Sequence, residues 1–533
     1  MGTNYIYKTS FVFKLKWCRI LNYWSERNIS GPKPIPLFGN NLTLLLKPSS
    51  VVDMEWFNSY GRLYGVYNCD KPSLLVSDAA LIKQIMVEYF HAFTNRPNAL
   101  QDEMTVNTVI HARDGHWKRL RTIISPTFTS GKLKHMYPLI DECCGDLLAA
   151  LDRQVSANNN TGQLRPTQVE LKQLMNAYSM DVIARTAFAT KINLYFDQNN
   201  PLLNKSLLYV TNQFSIRIWH KILAMILPTF ITDTICWKWL ITGGGPPVTT
   251  SLIAIARRLL AERKTSAQKH HDFLQLLIDA KAEVVDDSNT ETTGADTEAD
   301  DKLIAESRAL SGLVGKKLTE VEILAQSALF FTVGYNNTST TLSYCTYELA
   351  VNPDIQDRLV AEISAAYNEN TADIDYDTLW LRLPLLDAVV SETLRRYPPV
   401  YRIIRQASEN VVLTTGGDGL QAMIEKDFIV EIPVYALHHD PDYFPDPFAF
   451  KPDRFLPDNR HNIKPYTYMP FGVGPRNCVA TRFAMLELKL TMVKMLQQFR
   501  FYRVPDTDVP PVLMIGREDL QAKRVVVGAD SDK

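Results

Sequence analysis

Of the seven cysteines in this 533-residue chain, Cys478 stands where a sulfur can do chemistry. It lies in Phe471-Gly472-Val473-Gly474-Pro475-Arg476-Asn477-Cys478-Val479-Ala480, and the helical pattern RFAMLELKLTMVKML follows almost at once. A thiol at a helix start lies near unsatisfied backbone N–H groups and the positive end of the macrodipole, which lowers its pKa and favours thiolate. Gly472 and Gly474 allow the loop backbone to approach a large planar ligand closely. Arg476 is placed to meet an anionic group on that ligand, and Phe471 to keep water from the sulfur. A buried structural cysteine in a glycine-rich loop is the alternative.

Charged residues elsewhere have helical spacing. Glu392 and Arg395 stand at i, i+3 on LLDAVVSETLRRYPP, with a further arginine downstream in Pro452-Asp453-Arg454-Phe455. Trp117 and Arg121 share a face at i, i+4 in GHWKRLRTIISPTF; a solvated basic helix face reads equally from that pattern.

Together these segments resemble the cytochrome P-450 superfamily. F-x-x-G-x-R-x-C-x-A is similar to its heme-binding loop, with Ala480 at a position that is commonly glycine. The resemblance implies heme b, with the Cys478 thiolate as the ligand of the iron, the arrangement known for that superfamily. It implies that Glu392, Arg395 and Arg454 form a buried polar triad of structural character. It implies heme propionate contacts for Trp117, Arg121, Arg405, Arg476 and Arg96, since guanidinium forks suit carboxylates. ISPTFTSGKLK (124–134) and DFLQLLIDA (272–280) are similar to the animal microsomal group with drug- and steroid-oxidising members and thromboxane synthase.

One segment departs from the pattern. The family's central helix usually carries an acid and an alcohol that deliver protons to bound oxygen, whereas this chain reads Val333-Gly334-Tyr335-Asn336-Asn337-Thr338. Asparagine does not ionise near neutral pH, but its amide can hold a water. Gly334 is expected to leave space over the heme, and Thr338 to replace the hydroxyl one residue along, about 100° around the helix. Asn336, Asn337 and Thr338 are therefore the expected catalytic positions.

Composition sets the frame. Hydrophobic residues at 46% and charged residues at 22% are ordinary globular usage, which excludes a disordered or collagen-like chain. Basic and acidic residues number 57 and 58, so no polycationic surface for nucleic acid is implied. The cysteines follow no C-x-x-C or zinc-like spacing, and their use suits a reducing compartment.

Helical periodicity over Leu359–Tyr367, Leu383–Tyr397 and Val479–Phe499, with short strand-like runs at Arg62–Val76 and Asp427–Pro433, predicts a mainly α fold with small β-sheets in one large domain. That domain is expected over 41–533. Residues 283–302 read as a disordered acidic loop. The apolar, tryptophan-bearing stretch 218–241 reads either as core or as a membrane-facing or substrate-entry patch. Gly31 to Asn40 carries three prolines at alternate positions and predicts an extended, stiff hinge. Three readings stand for residues 1–30: a membrane-associating segment whose Phe11–Trp24 stretch lies in the interface, an atypical start, and a mitochondrial transit peptide.

The function expected is insertion of one oxygen atom from O2 into a small lipophilic substrate. NADPH electrons would come from a separate flavoprotein reductase, because no flavin or nucleotide motif is present. Lys118, Arg119, Lys132, Lys134 and Lys489 are candidates for the basic face that docks it. The expected location is the cytosolic face of the endoplasmic reticulum membrane, the alternative being the mitochondrial inner membrane. A heme-thiolate isomerase of lipid peroxides, which needs no reductase, and a non-catalytic heme sensor are the rival functions.

Overall fold

The computed structural model describes residues 22–36, 38–97, 103–159, 167–192, 195, 248–265, 272–280, 317–367, 374–414, 421–513 and 526–531. Residues 218–241 and 283–302, and all of the N-terminal segment before Asn22, lie outside them.

Among the described residues nine strands form three small sheets. Strands β1 (Leu63–Asn68), β2 (Lys71–Val76), β4 (Arg402–Gln406) and β7 (Ile429–Pro433) make a four-stranded sheet in the order β1-β2-β7-β4. The β2/β7 pairing is parallel and sets Leu74 against Val430; the other two are antiparallel, and Arg405 of β4 also faces Val430. Strands β3 (Thr167–Glu170), β9 (Val526–Ser531) and β8 (Phe499–Tyr502) form a second sheet, and β5 (Val411–Thr414) with β6 (Gln421–Ile424) a hairpin.

The helices that matter for the site are α1 (Ser49–Tyr60), α2 (Asp114–Ile124), α3 (Ser130–Asn159), α4 (Leu171–Phe188), α5 (Glu320–Val351), α6 (Pro384–Arg396) and α7 (Thr481–Gln498). Leu120, Leu147, Leu342, Val389, Leu486 and Leu490 are fully buried in one continuous core shared by α2, α3, α5, α6 and α7. Each such side chain contributes about 1.5–3 kcal/mol of transfer free energy.

The long helix α5 begins at a capping box. Glu322 N–H donates to Thr319 Oγ1 at 3.3 Å, and Thr319 N–H donates to Glu322 Oε2 at 2.8 Å. Its hydroxyl-rich middle is buried because each hydroxyl finds a local carbonyl: Thr341 bonds Asn337 O at 3.0 Å, Ser343 bonds Ser339 O at 2.6 Å, and Thr346 bonds Leu342 O at 2.9 Å.

Strand β4 is fixed by a buried charge network. Arg402 meets both Asp53 of α1 and Glu431 of β7, and Glu431 also accepts from Ser73 Oγ at 2.8 Å and Asn68 Nδ2 at 2.9 Å. Arg405 follows three residues later on the same strand.

Two anchors fix the described part of the N-terminal region. After Gly31 the chain turns back at an Ile35–Gly39 bridge and docks on β1, where Asn40 N–H donates to Tyr67 O at 2.8 Å and the Asn40 amide caps Pro32 and Lys33 carbonyls at 3.3 Å. Prolines fix φ but leave ψ free, so this asparagine decides the path. Within residues 22–30 one large side chain is seated on the folded body. Trp24 is buried, lies against Gly65 and Phe428, and donates Nε1–H to Val66 O at 3.0 Å. Among the described residues no helix is long and apolar enough to cross a membrane.

Candidate active site

The cysteine loop is shaped by its glycines and by hydrogen bonds to itself. Gly472 and Gly474 sit at φ +76° and +73°, and a Cβ on Gly474 would lie 2.1 Å from Met86 O. Cys478 N–H donates to Phe471 O at 2.8 Å and Asn477 N–H to Gly474 O at 3.0 Å, which closes the loop immediately before α7. Phe471 packs partly buried against the main core.

The Cys478 side chain is exposed, yet loss of bulk water still pushes its thiol up; the Ala480 N–H, Arg121, Thr481 and Arg96 pull the other way. Accessible surface combined with desolvation marks a hollow inside the fold. The expected lowering by the helix terminus is thus overridden by burial, an effect that sequence position alone does not reveal.

Four arginines surround this loop. Arg121 grips Asn477, donating to its carbonyl at 2.9 Å and to its Oδ1 at 2.6 Å. Arg476 turns away from the loop, donating to Ile110 O at 3.0 Å and to Ala112 O, with its guanidinium 4.7 Å from the Trp117 ring centroid. Arg405 is 2% exposed and donates to Ile404 O at 3.0 Å. Arg96 lies on the segment that Asn95 fixes by reciprocal bonds with Asp114, at 2.8 and 3.0 Å.

The Nε atoms of Arg96, Arg405 and Arg476 are buried without a hydrogen-bond partner, and no acid forms an ion pair with any of the three among the described residues. Burial, followed by repulsion from Arg96 and Arg476, pushes Arg405 well below the usual guanidinium range; burial and Arg96 bring Arg476 down to about 9. Burial likewise lowers Arg96. Cations gathered so, with donors unspent, form a site for an anion.

On α5, Val333 is 37% exposed although Phe331 and Tyr335 beside it are buried, and Asn337 lies one turn on from Val333 on the same accessible face. Asn336 is half-buried. Thr338 is buried and its hydroxyl donates to Gly334 O at 3.0 Å, so it does not offer its proton to the accessible face. The expected open space at Gly334 is also absent: a Cβ there would come within 2.6 Å of Ile183 Cδ1, so this glycine serves close packing of α5 on α4.

The acid–base triad assembles from α6. Arg395 forks onto Glu392, Nε to Oε2 at 2.7 Å and an NH2 nitrogen to Oε1 at 2.8 Å, both side chains being fully buried. Arg454 approaches more loosely, with Nε 3.5 Å from Glu392 Oε1.

His438, which sequence reasoning missed, ties this triad to the cysteine loop. Its Nδ1 contacts Arg395 O at 3.1 Å and its Nε2 accepts the Met469 N–H at 2.9 Å; burial pushes its pKa down to about 3, so it stays neutral. Asn477 and Lys172 were missed as well, their partners being 356 and 164–168 positions away.

Among the proposed docking lysines, Lys489 is misplaced. It is 2% exposed, pairs with Asp387 at 2.9 Å and lies 4.5 Å from the Trp380 ring centroid, because its position on α7 faces the core. Arg119 is mostly covered and paired with Glu322. Lys118, Lys132 and Lys134 are exposed.

The family model for cytochrome P450 matches residues 29–517. Cytochrome P450 3A7 of Homo sapiens is 36% identical over 512 residues, covering 95% of this chain and 92% of the relative. Cytochrome P450 3A2 of Rattus norvegicus is 35% identical over 490 residues, covering 91% and 88%. Cytochrome P450 3A27 of Oncorhynchus mykiss is 32% identical over 498 residues, covering 92% and 88%. A match of this extent, along a mainly helical chain with small sheets, establishes that the protein belongs to the cytochrome P450 family, as a heme b monooxygenase.

Proposed function

We propose that the protein takes electrons from NADPH through a separate flavoprotein reductase and oxidises a lipophilic substrate in the hollow between the Cys478 loop and α5. The observation that carries the site assignment is the buried set of Arg96, Arg405 and Arg476, whose Nε donors lack partners and which pair with no acid among the described residues. That donor set fits a group bearing two carboxylates, so these arginines would hold the heme propionates, and Cys478 would ligate the iron. Bound there, the heme supplies the redox chemistry that activates oxygen.

The protein's own residues do the rest. Arg121 clamps Asn477 and so fixes the residue next to the sulfur. Trp117 lies under the Arg476 guanidinium, 4.7 Å from ring centroid to carbon, and helps to hold it, while Phe471 limits access of water to the thiol. Val333 forms an apolar wall where substrate packs, and Asn337, with Asn336 in the same turn, holds water by its amide. Exposed Lys118 and Lys132 support a basic docking face toward an acidic reductase, whereas Lys134, also exposed, is paired with Asp377 at 2.9 Å.

Peripheral attachment to the cytosolic face of the endoplasmic reticulum, through residues before Asn22, is part of the same proposal. Alkaline carbonate should release the protein from membranes; a pellet retained after that wash would refute peripheral attachment. The function itself is tested by reconstituting heme-loaded protein with lipophilic substrates, with and without NADPH and reductase. Oxygenated product only in the complete system is expected. Product formed from lipid peroxides without NADPH would refute the reading and favour an isomerase.

A further inference from the structure

Glu487 of α7 is fully buried, and among the described residues no cation forms an ion pair with it and neither of its oxygens has a partner in hydrogen-bond geometry. The lysines of its own helix are spent elsewhere, Lys489 on Asp387 at 2.9 Å and Lys494 on Asp141 at 2.7 Å. From α3 Cys143 faces it, with Asp181 and Arg185 of α4 beyond that thiol, and from α4 Tyr178 and Ser179 face it. The Tyr178 hydroxyl is engaged by Thr491 Oγ1 at 2.6 Å and Cys144 Sγ at 3.4 Å, which leaves Ser179 as the polar neighbour that favours the charged carboxyl. Helices α5 and α6, Pro353–Ala366 and β8 also pack on α7, and no titratable group of theirs perturbs the carboxyl. A carboxyl so placed keeps its proton well above the usual range, here to about 8. Helix α7 begins at Thr481, directly after the Cys478 loop, and its rise sets Glu487 about 9 Å further along.

We infer that Glu487 couples a proton to reduction of the site: an electron entering at the heme beside Cys478 draws a proton onto the Glu487 carboxylate. In the step the reductase supplies one electron, the iron passes from ferric to ferrous, and one O–H bond forms between a carboxylate oxygen and a proton from bulk water. The net charge of the pair is unchanged. The buried oxygen exchanges its proton through local opening of the helices around it. With an effective dielectric of about 20 and a separation on the order of 15 Å, the added electron makes the ionised carboxyl roughly sixfold less favourable. The inference rests on the heme-thiolate reading of Cys478.

Its test is a potential, and turnover is not needed. Full-length, heme-loaded protein is reduced stepwise with dithionite and mediator dyes in an optical cell from about pH 6 to about pH 10, and the ferric and ferrous Soret bands give the reduction equilibrium at each pH. In wild type that equilibrium should be level at the acid end, fall roughly sixfold as pH rises through about 8, and level again. Glu487→Gln, which has no carboxyl to ionise, should lose that fall. Ser179→Ala should keep the fall and move it to higher pH, because it removes the neighbour that favours the charged carboxyl; it decides the matter if Glu487→Gln loses heme. A wild-type fall in Glu487→Gln, a wild type with no fall, or an unmoved fall in Ser179→Ala would overturn the inference. Wild type that loads heme without the red-shifted Soret band of the carbon monoxide complex would instead overturn the thiolate reading of Cys478, with the comparison of wild type and Glu487→Gln still judging Glu487.

Discussion

Arg395→Ala should be the most damaging single change outside the cysteine loop. Arg395 and Glu392 are fully buried, joined by two short bonds, and Arg395 also donates to the His438 and Pro447 carbonyls, each at 2.8 Å. Removing one partner of a buried ion pair costs about 3–5 kcal/mol, and each stranded carbonyl adds about 1 kcal/mol. The remaining contacts of Glu392 are the Lys451 N–H at 2.9 Å and the looser Arg454 at 3.5 Å. A loss near 5 kcal/mol follows. With an unfolding entropy of about 2.1 cal/mol/K per residue, a chain of this size gives roughly 1 kcal/mol per degree, so the melting temperature should fall by about 5 °C. Arg454→Ala should lose only about 1–2 kcal/mol, because the fork from Arg395 survives. Circular dichroism melts, with heme content read from the carbon monoxide spectrum, decide the matter. Arg395→Ala that melts with wild type and loads heme fully, or Arg454→Ala that proves the worse of the two, would refute the reasoning.

Cys478→Ala should abolish the red-shifted Soret band of the ferrous carbon monoxide complex, and a variant keeping that band would show that another residue is the ligand. Replacing Asn336 by Asp and Asn337 by Thr should raise product formed per NADPH consumed; unchanged coupling would show that the asparagine turn is already sufficient. Burial pushes the Glu487 carboxyl from an ordinary 4.5 up to about 8, with Ser179 pulling down, so the folded state holds a proton that the unfolded chain releases. Stability should therefore fall as pH rises from 4.5 to about 8, by up to about 1.4 kcal/mol per pH unit, and level off above that. Glu487→Gln should flatten that slope in denaturant melts between pH 5 and 8; an unaltered slope would mean that the carboxyl is charged in the folded protein.

The parts of the site that could be read from the sequence are those whose partners are close along the chain. Glu392 and Arg395 are three residues apart on one helix, and Gly472, Gly474 and Cys478 share one loop, so spacing brought them together while family resemblance supplied their roles. Arg96 and Arg405 entered only through family resemblance, because nothing local distinguishes them from surface arginines. What escaped was long-range. Asn477 matters because Arg121 arrives from 356 residues away, and His438 because it joins Arg395 to Met469. Lys489 shows the opposite failure. Its charge reads as surface, and only the packing of α7 reveals that it is buried over Trp380 beside Asp387. Trp24 likewise reads as a membrane side chain until the β1 backbone at Gly65 gives it a seat.

The arginine cluster, which makes no ion pair with an acid among the described residues, has a consequence for the life of the polypeptide. Three like charges held together under cover repel one another, so the fold carries an unfavourable self-energy that a dianionic ligand relieves. Uptake of that ligand and folding are then a single linked equilibrium. Newly made chains compete for cofactor before they compete for substrate, and those that go without are the ones that open most often to proteases. On the proposed reading, in which these arginines hold the heme propionates, the abundance of the protein in a cell should follow the supply of heme.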